Sequence, residues 1–393
     1  MATARINGGI ITWALKRAGA TRESIATKTI PAARIAVWQG GEEFPSEGQA
    51  EALAVKLGIP YAMLFMPTVP PDEKPDLPDL RTIDGKPLAH PSMDFLEVLD
   101  DAVARQEWYR SEALEASRQP LEFVGKFGLS DAPVKVAEDM CETLALNTSA
   151  RDKCKDFEEF LRTIVASAER AGILVMRSSV VRHITSRPLN VKEFRGFALV
   201  DDLAPVVFIN DNDAKAAQVF TLAHELAHIW IGAPGISDRK PNEKDSKNAI
   251  ELFCDKVAAE VLVPAKEFVG FWSTSRPLDE NLRNVSVRFR VSTLVALRRA
   301  KDLNQITPTV FFASVTHHYD AYLRREREKK EAQRKKKGGG NFWASFELRN
   351  SAKFNATVAS SIRDQRTTYA EAGALLGIAP GAAARYMKRL EGT

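Results

Sequence analysis

Residues 219–232 read VFTLAHELAHIWIG, and residues 249–264 read AIELFCDKVAAEVLVP. The first stretch holds His224, Glu225 and His228 in the spacing H-E-x-x-H. On a helix, positions four apart stand one above the other, so both imidazoles can reach a single ion. Leu222, Leu226 and Ile229 form a separate apolar stripe, which lets one face pack while the other presents ligands. Glu225 sits beside the first histidine, where its carboxylate can take a proton from water held at the ion. Two histidines still need a third protein ligand and an open position for water. The second stretch supplies Glu251, 27 residues after His224, which leaves room for a loop and a returning helix. Asp255 follows one turn later on the same face, where it can accept the free ring N–H of a ligating histidine. Asp255 and Glu260 are the alternatives for the third ligand.

The metal helix sits in a mixed neighbourhood. Three short apolar runs precede it, Ile173–Met176, Phe197–Val200 and Val206–Ile209, with the β-branched content of strands. A peptide could add as a strand beside Val206–Asn210, unless that strand is internal and has no free edge. The metal helix is expected over Ala214–Ile231 and its partner over Asn248–Val263, closed by Pro264. Further helices are expected at Met93–Ser117, Val134–Leu146, Phe157–Ala171, 279–290, 292–303 and 308–335.

Toward the N-terminus, residues 8–66 read as five short helices. They are Ile11–Arg17, Thr21–Lys28, Ala32–Gln39, one opened by Pro45 and Ser46, and a short segment at YAMLFM. Helix, tight turn and helix within a small bundle is the helix-turn-helix plan. On the third helix only Arg34 and Gln39 have side chains that read base edges. Residues 1–70 hold seven basic and five acidic groups, a weak field for phosphate. A docking or dimerisation module is therefore the competing reading. The stretch PTVPPDEKPDLPDL, from Pro67, is a stiff linker. Residues 324–337, RREREKKEAQRKKK, hold nine Lys or Arg and three Glu, and Gly338–Gly340 follow. This run could bind nucleic acid, or form a solvated helix with i, i+4 pairs. The last residues form a small helical unit.

Composition closes several other classes. The chain has 393 residues, 45% hydrophobic and 27% charged, the proportions of a globular protein of two or three domains. The net charge of +4 confines any nucleic-acid surface to a local patch. Three cysteines, Cys141, Cys154 and Cys254, exclude a disulfide scaffold and point to a reducing cytoplasm. No apolar run has the length of a membrane span, and no signal peptide is read at the start.

FTLAHELAH followed by IELFCDKVAAEVLVP resembles the ImmA/IrrE family of metallopeptidases. There the second segment usually reads E-x-x-A-N, then F-A-A-E-L-L and a proline. FALVDDLAPVVFINDNDAKAAQ, from Phe197, resembles that family's entry into the metal helix, and the likeness is dense over about 155–305. Cys254 and Asp255 stand where Ala-Asn is usual, and Val257 where Phe is usual. The N-terminal helices, through SIATKTIPAARIAVWQGG and PSEGQAEALAVKLGI, are similar to an Xre-type helix-turn-helix.

The resemblance implies an α+β, mostly α chain. Its parts would be a helix-turn-helix bundle over 1–66 and a Pro-rich linker over 67–91. A zincin-like metallopeptidase domain with a small sheet would span 92–305. A basic helix and Gly hinge would take 306–340, and a C-terminal helical domain 341–393. It also implies a gluzincin-like zinc site with His224, His228 and Glu251 as ligands, Glu225 as base and Asp255 behind a histidine. The expected activity is cleavage of a protein, a transcriptional repressor, in stress response or in phage and mobile-element control. The competing expectation is a DNA- or protein-binding, antitoxin-like regulator with a structural or vestigial metal site. His183, His317, His318 and Tyr319 are candidates, by residue type alone, for a donor to the developing oxyanion.

Overall fold

The computed structural model describes residues 3–17, 20–70, 91–233, 235–237, 249–318, 324, 328 and 342–391. Most of the Pro-rich linker, Tyr319, the Gly hinge and all of the basic run except Arg324 and Glu328 lie outside the described residues. The described residues divide into two units, one of those up to Leu99 and one from Asp100 on.

The first unit holds α1 (Gly8–Arg17), α2 (Arg22–Ile25), α3 (Ala32–Gly40), α4 (Glu47–Leu57) and a 3-10 turn at Tyr61–Phe65. Capping boxes at Thr21 and Ser46 fix the starts of α2 and α4. α2 stops at Ile25, short of the expected Lys28, because Ala26 turns extended and Thr27 N–H bonds to the Ile30 carbonyl. Trp38, Ile10, Ile11, Leu53 and Leu57 form the core. Gly8 is needed there, since a Cβ would fall 2.1 Å from the Gln39 carbonyl oxygen.

α5 (Met93–Glu115) begins in the first unit and ends in the second. The second unit continues with α6 (Pro133–Thr143), α7 (Thr148–Asp152) and α8 (Phe157–Ala171). β1 (Leu174–Ser178), β2 (Gly196–Leu199) and β3 (Val206–Asn210) lead to α9 (Lys215–Trp230) and β4 (Gly235–Ser237). α10 (Ala249–Leu262), α11 (Ala265–Phe271), α12 (Leu278–Phe289) and α13 (Thr293–Asp302) follow. α14 is helical over 308–318. The chain closes with α15 (Phe342–Asn350), α16 (Ala352–Arg363), α17 (Tyr369–Leu376) and α18 (Pro380–Glu391). The architecture is α+β and mostly α, as expected.

The sheet runs β1-β3-β2-β4. β3 pairs parallel with β1 and antiparallel with β2, so Val206–Asn210 has no free edge. The idea of a peptide adding beside that strand is thereby corrected. Every residue of β1, β2 and β3 is buried, which explains their unbroken apolar runs. One large core joins sheet and helices, with α9 packed against β2, β3, α8 and α10.

Candidate metal centre

α9 is a nearly fully buried helix, so its polar residues need an internal reason to be there. His224, Glu225 and His228 have 1%, 0% and 0% of their surface exposed, and Glu251 on α10 has 3%. His224 Nε2 lies 3.1 Å from Glu251 Oε2, and His228 Nε2 lies 3.3 Å from Glu251 Oε1. The two Nε2 atoms are 3.2 Å apart. Tetrahedral zinc with ligands at roughly 2.0–2.1 Å holds its ligand atoms about 3.3 Å from one another. The three residues therefore fit one ion.

The outer faces of the rings explain why the Nε2 atoms can meet. The Ala233 carbonyl can only accept, so His228 Nδ1–H donates to it over 2.8 Å. His224 Nδ1–H donates to Asp255 Oδ1 over 3.2 Å. Both protons sit on Nδ1, and both lone pairs face the same point with the Glu251 carboxylate. Such a cluster repels itself unless a cation holds it.

The chain is shaped to give these contacts. Gly232, at φ +67, reverses the backbone after α9. That turn returns Ala233, whose N–H bonds to the His228 carbonyl at 3.1 Å, while its own oxygen meets the ring. At the other end of α9, Gln218 Nε2 donates to the Asp213 carbonyl at 2.7 Å and fixes the entry from β3. Between them, Trp230 stacks on Phe123 at 4.4 Å and donates to Asp139 over 2.8 Å.

Glu225 differs from its neighbours. Neither of its carboxyl oxygens has a hydrogen-bond partner among the described residues. Burial raises its pKa to about 7, against the pull of His224 and His228. Burial would raise Glu251 as well, but the facing His224 and His228 rings hold its carboxyl far below the usual carboxylate range. Gly196 of β2 lies directly over Glu225, and a Cβ there would meet the Glu225 Cγ at 3.3 Å.

The alternatives for third ligand resolve on the same contacts. Asp255 lies on the far side of His224, and its Oδ2 is 3.8 Å from Arg298 Nη2. Glu260 pairs with Arg299 and accepts from Ala265 N–H at 2.9 Å, where it ties α10 to α11. Among the described residues, the cluster able to hold a metal is His224, His228 and Glu251.

Other sequence candidates fall elsewhere. Arg349 donates to His183 Nδ1, and His183 stacks on Phe346 of α15. His318 faces Asp279 at 3.3 Å. Neither joins the metal cluster. Cys154 and Cys254 are buried, and burial lifts the Cys141 thiol to about 11. In the first unit, Arg34 pairs with Glu43 and lies over Trp38, while Gln39 donates to the Thr12 hydroxyl at 3.2 Å. Sequence reasoning missed Gly196, the Ala233 carbonyl and Arg298.

With this geometry in place, the comparison with family models is decisive for the core. Residues 168–301 match the Peptidase_M78 model, described as the IrrE N-terminal-like domain. This segment is similar to the IrrE N-terminal-like domain. The match runs from α8 to α13 and includes the sheet and every metal-cluster residue. No curated protein matches the chain. The matched model is that of a metallopeptidase family, whose members imply a metal, and His224, His228 and Glu251 are the residues here that could hold one. Among the described residues, no helix is long and apolar enough to cross a membrane.

Proposed function

We propose that the chain is a zinc endopeptidase that acts as a regulator by cutting a protein substrate, a transcriptional repressor, at a specific site. The observation that carries this reading is Glu225: a buried carboxylate with no hydrogen-bond partner among the described residues, next to a three-ligand cluster. A bound zinc ion would polarise the scissile carbonyl and make water acidic enough to lose a proton near neutral pH. Glu225 would take that proton and return it to the leaving amine. A pKa of about 7 suits a group that both accepts and donates. Asp255 and the Ala233 carbonyl hold the histidines in one tautomer.

A polypeptide substrate is supported by a cavity of about 610 Å³ along α9, α10, α13 and α14. Its wall includes Phe220, Leu252, Val295 and Phe311, with Asp255, which backs His224, and Arg298; none of the metal ligands lines it. A large apolar side chain of the substrate fits such a recess. A purely structural zinc site is normally closed by four protein ligands, and this cluster offers three among the described residues. Residues 1–66 then serve as the docking or DNA-binding module that brings the peptidase to its target. The basic run 324–337 is a further candidate for nucleic-acid contact.

The test is Glu225→Gln, assayed on any repressor found encoded beside the gene and otherwise on a cellular phenotype that needs it. The variant should fold, keep near-normal zinc and lose cleavage by at least ~10²-fold. A variant that binds zinc and still gives the wild-type cellular phenotype would remove peptidase chemistry from the function.

A further inference from the structure

We propose that a groove between α5, α8 and α16 binds a small phosphate compound carrying several negative charges, of the inorganic triphosphate or nucleoside triphosphate class. The groove encloses about 890 Å³, within the ordinary size of small-molecule sites. It lies apart from the metal cluster, and none of the metal ligands lines it.

Its walls carry five cations, Arg118, Arg170, Lys353, Arg363 and Arg366, against the two carboxylates Glu112 and Glu115. The carboxylates do not neutralise this set. Arg366 takes both of them, and Asp364 as well. Arg118 donates to the Tyr109 phenol over 2.7 Å, and Arg170 to the Ser167 hydroxyl over 2.8 Å, both neutral partners. Arg118, Arg170, Lys353 and Arg363 form no ion pair with a described carboxylate. Lys353 is held below the usual lysine range, first by burial and then by the charge of Arg118. Glu169 pulls the other way.

Cations brought together from α8, α16 and the turns that follow α5 and α16 cost free energy until an anion lies between them. Arginine forks match phosphate oxygens with two parallel N–H bonds. Their spread over four segments suits a ligand with more than one phosphate group. Base recognition is absent from the design. Tyr109, the aromatic ring in the wall, is buried under the Arg118 guanidinium and offers no stacking platform. The ligand would therefore be held through its phosphates, and a nucleoside would add little.

The groove also sits at a junction. Glu169, next to Arg170 on α8, accepts from the Ser351 hydroxyl and from Ala352 N–H at 2.9 Å, at the start of α16. An anion bound here would tie α8, which packs on the metal helix, to the C-terminal helices.

The experiment is calorimetric titration of the full chain with sodium tripolyphosphate and with ATP, at about 0.1 M salt and without magnesium. Both ligands should bind at one site per chain with similar affinity, and inorganic phosphate should bind at least ~10-fold more weakly. Arg363→Ala, an exposed change, should weaken tripolyphosphate at least ~10-fold, and Lys353→Ala with Arg363→Ala should do so further. Circular dichroism on each variant checks that the fold is kept, and Arg118→Ala replaces any variant that fails. Absence of saturable binding, or an unchanged affinity in the folded double variant, would overturn the proposal. So would tight binding of a 20-mer oligonucleotide with none of tripolyphosphate, which would make the groove part of a nucleic-acid surface instead.

Discussion

His224 Nδ1–H points at Asp255 Oδ1, 3.2 Å away, while the opposite nitrogen of the same ring lies 3.1 Å from Glu251. One imidazole is thus held between two carboxylates of one helix, a turn apart, and the two have different work. Glu251 would face an ion, and Asp255 would fix the ring. Glu251→Gln should remove most of the zinc, because an amide is a poor ligand. Asp255→Ala should weaken zinc by about 10 to 100-fold and leave the site intact. Zinc affinity measured against a competing chelator separates the two, and the reverse order would exchange their roles.

His224→Ala and His228→Ala should each reduce zinc from about one ion per chain to near none, since two ligands do not hold a mononuclear site. Metal analysis of purified protein measures this directly. Full occupancy in both variants would place the ion elsewhere.

Gly196→Ala tests the packing above the base. The new methyl would lie 2.8 Å from the Phe208 carbonyl oxygen and 2.8 Å from Thr221 Cγ2, so β2 must shift on α9. Overpacking of this kind costs about 1–3 kcal/mol. The thermal midpoint should fall, zinc should be retained, and cleavage should drop because β2 no longer seats closely over Glu225. An unchanged midpoint would show that the sheet is looser here than its contacts imply.

His183 gives the C-terminal helices a dependence on acid. Burial, and then the charge of Arg349, lower its pKa from 6.5, so the folded chain holds it neutral. The sign follows from that depression. Its contribution is complete above pH 6.5 and is lost as pH falls below that value toward the folded pKa. Thermal midpoints measured from pH 8 to 5 should fall on the acid side, and His183→Asn should fall less steeply. Parallel curves for the two proteins would exclude this histidine as the cause.

Much of the site was legible because its residues obey helical spacing. His224 and His228 are four apart, and so are Glu251 and Asp255, so each pair shares a face before any fold is known. α8 was readable over its full Phe157–Ala171 span because Asp156 caps it and Gly172 ends it. The rest left no such mark. The Ala233 contact is a backbone carbonyl, and it depends on the reversal at Gly232. Gly196 matters through the side chain it lacks. Arg298 reaches Asp255 from a helix more than forty positions on, a distance that no local pattern encodes. Strand order was equally silent, since β1, β2 and β3 are all buried runs, and only pairing shows that β3 lies between the others. β4 is three residues long, too short for a periodic signal.

The near-complete enclosure of His224, His228 and Glu251 has a consequence in time. An ion gripped by three side chains from two buried helices would leave only as fast as α9 and α10 part, even where a substrate carbonyl or a chelator can reach its open position. Its half-life should therefore follow the opening rate of the core and level off as chelator concentration rises.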